Sequence, residues 1–234
     1  MDNLARPDAQ QDFGPSLVQF VAAEGSGKII APLQKFLEDS HDAPSLRASV
    51  KHIRPALIAD IAHFLCISHG RHPGIIDHAA TKIVDDVARE WLVEAINGFA
   101  LERAFLNQLT VTAGPIARQT GQEKITALLE HQSKSFQMLA TSDRKGTAAG
   151  AAIAFIIDWR CTRPLLDIAA LSLGIEPSKC TLPENTLAQK LAHILASDTA
   201  KSRAMMFGAQ QLLGQQRGLW QLIAARHNEI SSQH

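Results

Sequence analysis

The chain contains no tyrosine, and phenylalanine and tryptophan together make up only 5% of its 234 residues. So few aromatic side chains leave little surface for stacking on nucleic-acid bases, and a tyrosine acid is excluded as a catalytic group. The 23 basic residues are balanced by 23 acidic ones. Because there is no basic surplus, we expect neither nucleic acid nor an anionic membrane surface among the partners.

Cysteine is also scarce: Cys66, Cys161 and Cys180 are odd in number and lie far apart in the chain. This spacing argues against a disulfide framework or a paired-cysteine zinc site, and it favours a reducing compartment. The first residues lack the basic and apolar regions of a secretory signal. The long apolar run at residues 148–157 is too short to cross a bilayer. We therefore predict a cytoplasmic protein without a membrane segment.

Familiar catalytic and nucleotide-binding motifs are missing too. The string Gly25-Ser26-Gly27-Lys28 resembles the end of a phosphate-binding loop, but Ala22 stands where that motif needs glycine. Ile29 stands where it needs serine or threonine. We therefore interpret the string as a turn between two helices.

Most of the chain carries apolar residues at helical spacing, and no segment alternates convincingly as a strand does. Short polar links between these segments favour antiparallel packing of neighbouring helices. We predict an all-α fold, a single antiparallel bundle of about six to eight helices. The bundle domain is predicted over residues 16–230, after a flexible tail at residues 1–15.

Residues 144–174 form the segment around which we expect the bundle to be built. Ala148 to Ile157 include no polar side chain, which is typical of a helix that is buried on all sides. Pro164 lacks a backbone N–H and crowds the carbonyl of Arg160, so we predict a kink in this central helix.

Charged residues beside the predicted kink form a candidate ligand site. Arg160 and Arg163 lie on one stripe of the helix and Asp158 lies on another, and arginine binds carboxylates and phosphates in two-point geometry. Glu102 is flanked by apolar residues in another helix, where an unpaired carboxylate would be costly to bury. These four residues predict a site for a small anionic ligand. The alternative is a structural ion-pair network, for example Arg160 with Glu102.

A candidate metal site begins with Asp60 and His63, because a carboxylate-x-x-His pair can bind a metal inside a helical bundle. His78 and Glu94, from a helix predicted over residues 75–112, complete the set. Imidazole and carboxylate ligands together suit iron, manganese or zinc, and the sequence does not choose among these metals. The alternative is that these side chains cap helix ends or face solvent.

The sequence leaves two functions open. The first is a metal-dependent enzyme or a binder of a small anionic ligand, with an interior polar pocket where Asp60, His63, Glu102 and Arg160 converge. The second is a non-catalytic interaction or regulatory protein whose buried polar groups are structural. A homodimer is compatible with either function, because two glycines in the last helix, Gly214 and Gly218, share a face and permit close helix approach.

Overall fold

The computed structural model describes residues 13–39, 47–116 and 122–232, and all regular structure within these ranges is α-helical. The predicted all-α fold is confirmed. The helices in these ranges are α1 (Phe13–Glu24), α2 (Gly27–Asp39), α3 (Arg47–His69), α4 (Ile75–Ala80), α5 (Asp86–Ala113), α6 (Gln122–Ala140), α7 (Thr147–Ser172), α8 (Asn185–Leu195) and α9 (Thr199–Ser232).

Helix α7 lies at the centre of the bundle, as its apolar sequence predicts. Every residue from Thr147 to Trp159 is buried. The helix packs against α1, α2, α4, α5, α6, α8 and α9, whereas Cys161, Pro164 and Leu171 in its second half are exposed. It continues through Pro164 to Ser172 as one helix. The kink predicted at Pro164 stays a prediction.

The closest packing in the bundle joins α7 to α9, and it depends on one glycine in each helix. A β-carbon at Gly150 would lie 1.9 Å from the carbonyl oxygen of Met205. A β-carbon at Gly208 would lie 2.1 Å from the carbonyl oxygen of Thr147. Any side chain at either position would force the two backbones apart.

Helix α3 shows the antiparallel packing that the short links favour. Asp60 contacts Arg226 and His69 contacts Gln216, so α3 and α9 run in opposite directions. Helices α3 and α5 are antiparallel as well. In contrast, α7 and α9 are separated in the chain by α8 and run in the same direction, because α7 begins beside the start of α9.

The prediction of a single helix over residues 75–112 is wrong, because the structure has two helices there, α4 and α5. Helix α4 ends at Ala80, and the Thr81 hydroxyl donates a hydrogen bond to the carbonyl oxygen of His78 at 2.7 Å. The same carbonyl oxygen also accepts a hydrogen bond from the Thr81 backbone N–H at 3.1 Å, so Thr81 closes the end of the helix. Asp85 then precedes the first residue of α5 as its N-cap. The division brings the number of helices in the described ranges to nine, above the predicted range.

Two further predictions concern the ends of the fold and the membrane. Residues 1–12 of the predicted tail lie outside the described residues, whereas Phe13 to Pro15 already belong to α1. The boundary of the bundle domain stays a prediction. Within the described ranges, no helix combines the length and the hydrophobicity that crossing a bilayer requires.

The glycine contact between α7 and α9 leads to a testable prediction. We expect Gly208→Ala to lower the free energy of unfolding by about 1–3 kcal/mol, because the added methyl group meets rigid backbone. Gly218→Ala is the matched control in the same helix, because no atom lies within 4 Å of its β-carbon position. That change should raise stability by about 0.5–1 kcal/mol through helix propensity. Urea denaturation measures both values, and equal effects would contradict the packing described here.

Candidate functional site

Asp60, the first predicted metal ligand, is engaged in a buried ion pair. Arg226 of α9 donates from Nε to Oδ2 of Asp60 at 2.9 Å and from Nη2 to Oδ1 at 3.0 Å. The guanidinium also lies 5.4 Å from the ring centre of Phe64. Burial raises the pKa of the Asp60 carboxyl, and the hydrogen bonds from Arg226 oppose this shift. Both carboxylate oxygens are thus used in joining α3 to α9.

Of the other predicted metal ligands, only His63 lies near this pair, one turn along α3 from Asp60. His63 Nε2 is 2.7 Å from the carbonyl oxygen of Gly114, beyond the end of α5. His78 is on the short helix α4, and Glu94 is exposed on α5. Within the described ranges, no three histidine, cysteine, aspartate or glutamate side chains are grouped in a way that would hold a metal ion. The structure therefore does not bring the predicted ligand set together.

Glu102, from the predicted ligand site, is buried between α5 and α7. Its Oε2 accepts a hydrogen bond from Trp159 Nε1 at 2.9 Å. Its Oε1 accepts a second one from Arg163 Nη1, and both side chains of this ion pair are almost fully buried. The expectation that Glu102 is an internal carboxylate with an arginine partner agrees with the structure, but the arginine is Arg163 and not Arg160.

Both arginines of the predicted ligand site are bound to protein groups. Arg163 also donates from Nε to Asp167 at 2.7 Å, and its Nη2 donates to the carbonyl oxygen of Ser178. Arg160 donates to the carbonyl oxygen of Leu182 at 2.9 Å and to Glu184 at 2.8 Å. The two arginines thus fasten the loop between α7 and α8 to the central helix.

Asp158 is the fourth predicted ligand residue, and it stabilises the turn between α1 and α2. Its Oδ1 accepts a hydrogen bond from the backbone N–H of Ser26 at 2.7 Å, and its Oδ2 accepts one from the Ser26 hydroxyl at 2.6 Å. The carboxylate faces the N-terminal end of α2, where negative charge is favoured. Gly25 is required beside it, because a β-carbon there would lie 2.4 Å from Oδ1. The interpretation of this string as a turn between helices is confirmed.

All four predicted ligand residues thus satisfy their charges within the protein, which favours the structural alternative for this cluster. We expect Arg163→Met to lower the free energy of unfolding by about 3–5 kcal/mol, because it strands the buried Glu102 carboxylate. Arg160→Met should cost at most about 1 kcal/mol, because Arg160 is partly exposed and its partner Glu184 is largely exposed.

Urea denaturation at pH 7 measures both changes. Combining Arg163→Met with Glu102→Gln should recover part of the loss, because no unpaired charge then remains in the core. An Arg160→Met variant that is as unstable as Arg163→Met would contradict this assignment of the buried pair.

A different part of the bundle contains a pocket of about 310 Å³, which we call the His69 pocket. It lies where the end of α3, the turn at residues 70–74 and α4 meet α6 and α7. Its apolar wall includes the rings of Phe99, Phe136 and Phe155. Apart from Ile75, the first residue of α4, the remaining lining residues are polar or belong to the turn: Ser68, His69, Arg71, His72, Pro73, Gly74, His78, Glu130, Ser133, Lys134 and Gln137.

His69 is the most unusual residue of this pocket, because it is a buried imidazole among aromatic rings. Its ring centre lies 5.0 Å from that of Phe136, 5.1 Å from that of Phe155 and 5.7 Å from that of Trp159. Burial lowers the pKa of His69 to about 4, so the ring is neutral at pH 7. Its Nε2 lies 3.0 Å from Oε1 of Gln216 in α9. Since an amide oxygen can only accept, Nε2 carries the proton and Nδ1 keeps a lone pair.

Two buried polar atoms of the His69 pocket have no hydrogen-bond partner among the described residues. They are Nδ1 of His69 and the hydroxyl oxygen of Ser68, the residue before it. A buried polar group without a partner costs roughly 1–3 kcal/mol, so such groups call for a specific explanation. Other unpartnered atoms occur elsewhere, but these two belong to neighbouring residues that line the same pocket.

The turn over the pocket is held in place by buried charges. Asp77 Oδ2 accepts hydrogen bonds from the Gly74 backbone N–H at 2.8 Å and from Arg103 Nη1 at 3.0 Å. The rim carries Arg71 and Lys134, and Glu130 lies 3.9 Å from Arg71. The pocket therefore combines an aromatic wall, unpartnered polar atoms and a cationic rim.

The sequence interpretation assigned no binding role to His69. One signal was present: His69 follows Ile58, Ala62 and Leu65 along one stripe of α3, and all three are buried. A histidine that continues an apolar stripe is expected inside the bundle. The aromatic rings around it come from three other helices, so their convergence is not visible in the sequence.

The low pKa of His69 makes stability depend on pH. Above pH 6.5 the ring is neutral in the folded and unfolded states alike. As pH falls towards 4, the unfolded chain binds a proton that the folded protein does not, so stability is lost in this interval. The difference corresponds to about 3 kcal/mol. Burial also raises the pKa of Asp60 and of Asp158, so the contribution of His69 is measured as the difference between the protein and a variant without this imidazole.

Between pH 7 and pH 4, the free energy of unfolding of the original protein should fall by about 3 kcal/mol more than that of His69→Phe. Urea denaturation at a series of pH values measures this difference. His193→Phe, which replaces an exposed histidine of α8, is the control and should follow the original pH dependence. Identical pH profiles for His69→Phe and the original protein would show that the imidazole is not buried in the neutral form.

Comparison with known proteins adds a family but no activity. A family model described as a family of unknown function (DUF6975) matches residues 38–230. No curated protein matches the chain, and no solved structure does.

Proposed function

We propose a function for this chain from the geometry of the bundle, because the chain belongs to DUF6975, a family of unknown function. The proposed function is the binding of a small organic molecule in the His69 pocket. The observation that carries the proposal is the pair of unpartnered polar atoms on Ser68 and His69. A bound molecule that hydrogen-bonds to them would offset the cost of burying them.

The size and lining of the pocket support a small ligand. Ligand pockets typically have volumes of about 300–1,000 Å³ and an apolar lining with a few placed polar groups. The His69 pocket, at about 310 Å³, is at the lower end of this range. Its wall of phenylalanine rings suits an apolar body, and Arg71 and Lys134 at the rim suit an anionic group.

This proposal keeps the small anionic ligand expected from the sequence and moves its site. Arg160, Arg163, Asp158 and Glu102 act as structural groups, whereas the ligand lies at the end of α3. We assign no reaction to the pocket and propose binding alone. A cytoplasmic location belongs to the same proposal, because the unpaired cysteines favour a reducing compartment.

The second candidate function, an interaction protein, is supported by an apolar groove between α6 and α9. This groove of about 640 Å³ is lined by Leu128, Leu129, Leu219 and Leu222, and Leu128 is 60% exposed. Gly218 leaves open space along α9. A second copy of the chain would cover Leu128 and Leu222, the two leucines of the groove that are not already buried, which supports the homodimer considered from the sequence.

One dye and two matched variants distinguish the two candidates. Anilinonaphthalene sulfonate has a planar apolar body and one negative charge, and it becomes fluorescent in apolar sites. Ser133 lines the His69 pocket and Ser135, two residues later in α6, lines the groove. We expect Ser133→Trp to reduce dye fluorescence at least about tenfold, because the tryptophan fills the pocket. Ser135→Trp should leave the fluorescence unchanged.

Fluorescence titration with each folded variant measures the effect, and circular dichroism checks the fold. Loss of fluorescence in Ser135→Trp with full retention in Ser133→Trp would reject the His69 pocket and favour the groove. Equal fluorescence in both variants and the original protein would reject both sites as the place where the dye binds.

A further inference from the structure

We infer that the His69 pocket selects a small aromatic monocarboxylate that carries a hydroxyl group. This inference rests on the proposed function and adds the chemical class of the ligand. It is carried by three features: the unpartnered acceptor of His69 and the unpartnered hydroxyl of Ser68, two buried residues that line the pocket, aromatic rings on the wall, and one net positive charge at the rim.

The first feature is the polarity of the two unpartnered atoms. Gln216 Oε1 accepts a hydrogen bond from the N–H at Nε2 of His69, so Nδ1 is an acceptor that requires a donor from the ligand. The Ser68 hydroxyl donates and accepts. A ligand hydroxyl can donate to Nδ1 or exchange a hydrogen bond with Ser68, whereas an ether or a ketone cannot donate to Nδ1. The two unpartnered atoms therefore favour a hydroxyl group in the ligand.

The second feature is the arrangement of the aromatic rings. Phe99 and Phe155 meet edge to face, with ring centres 4.9 Å apart, and Phe136 lies beyond His69. Aromatic rings pack favourably against one another in offset or edge-to-face geometry. A flat ring in the ligand gains these contacts in a pocket of limited volume, whereas a bulky aliphatic group does not.

The third feature is the charge of the rim. Arg71 and Lys134 carry two positive charges, and Glu130 beside Arg71 carries one negative charge. The single net positive charge suits one carboxylate better than a doubly charged phosphate. Lys134 makes no ion pair with any described residue, so its ammonium group is available to the ligand.

Three pairs of small acids test this inference. Each pair contains a hydroxylated acid and the same acid without the hydroxyl: 4-hydroxybenzoate and benzoate, 4-hydroxyphenylacetate and phenylacetate, and 3-(4-hydroxyphenyl)propionate and 3-phenylpropionate. Their different lengths cover different separations of hydroxyl and carboxylate. The dissociation constants are measured by isothermal titration calorimetry and by displacement of anilinonaphthalene sulfonate.

In the original protein we expect at least one hydroxylated acid to bind about tenfold more tightly than its partner, since the site otherwise leaves polar atoms unpaired. His69→Phe should reduce this preference to less than about threefold while the acid without the hydroxyl still binds. Ser68→Ala is a second, smaller change that should also reduce the preference and keeps the test available if His69→Phe does not fold.

The carboxylate contact has its own matched pair of variants. Lys134→Glu should weaken both members of the best pair equally, by about tenfold, because it reverses a charge at the rim. Lys124→Glu changes a lysine on the same helix that does not line the pocket, and it should leave both dissociation constants unchanged.

Failure of the inference is distinguishable from failure of the proposed function. If the dye binds in the His69 pocket but none of the acids displaces it at millimolar concentration, the ligand class is wrong and the binding function stands. A hydroxyl preference that is absent, or that persists in both His69→Phe and Ser68→Ala, likewise overturns the inference. If Ser133→Trp leaves dye binding intact, the proposed function fails as well.

Discussion

The structure depends on the burial of α7, which is complete from Thr147 to Trp159, because a polar or charged side chain buried on this helix must find its partner within the protein. Asp158, Trp159 and Arg163 do so in different directions: towards Ser26 before α2, towards Glu102 in α5, and towards the loop before α8. Each contact fixes the rotation of α7 relative to one neighbour. The polar groups of the central helix therefore set the register of the bundle, although apolar packing provides most of its stability.

His69 differs from these groups because only one of its two ring nitrogens has a partner. The same burial that lowers its pKa also leaves Nδ1 neutral and able to accept a hydrogen bond. The surrounding rings of Phe136 and Phe155 exclude the solvent that would otherwise satisfy this atom. A ligand that donates a hydrogen bond to Nδ1 would supply the interaction that this atom lacks in the folded protein. The burial of His69 is therefore linked to the proposed binding function.

The sequence revealed the central helix and the all-α fold, because apolar runs and helical spacing depend on residues close in the chain. It also offered an internal arginine partner for Glu102, as the alternative to a ligand site. It did not identify which arginine, because Arg160 and Arg163 lie only about 60° apart on the helix and the choice depends on how α7 is rotated in the bundle. The aromatic wall of the His69 pocket combines side chains from α5, α6 and α7, so only the tertiary structure shows it.

The hydrogen bonds between Ser26 and Asp158 join residues that are 132 positions apart in the chain. During synthesis, α1 and α2 leave the ribosome well before the helix that holds their connecting turn. At a rate of about 5–20 residues per second, this interval lasts roughly 7–26 seconds. Throughout it, the apolar faces formed by Leu17, Val21, Leu33 and Leu37 have no core to pack against. Helices α1 and α2 are thus made before the helices that complete their packing, and a chaperone that binds short apolar segments has access to them during that interval.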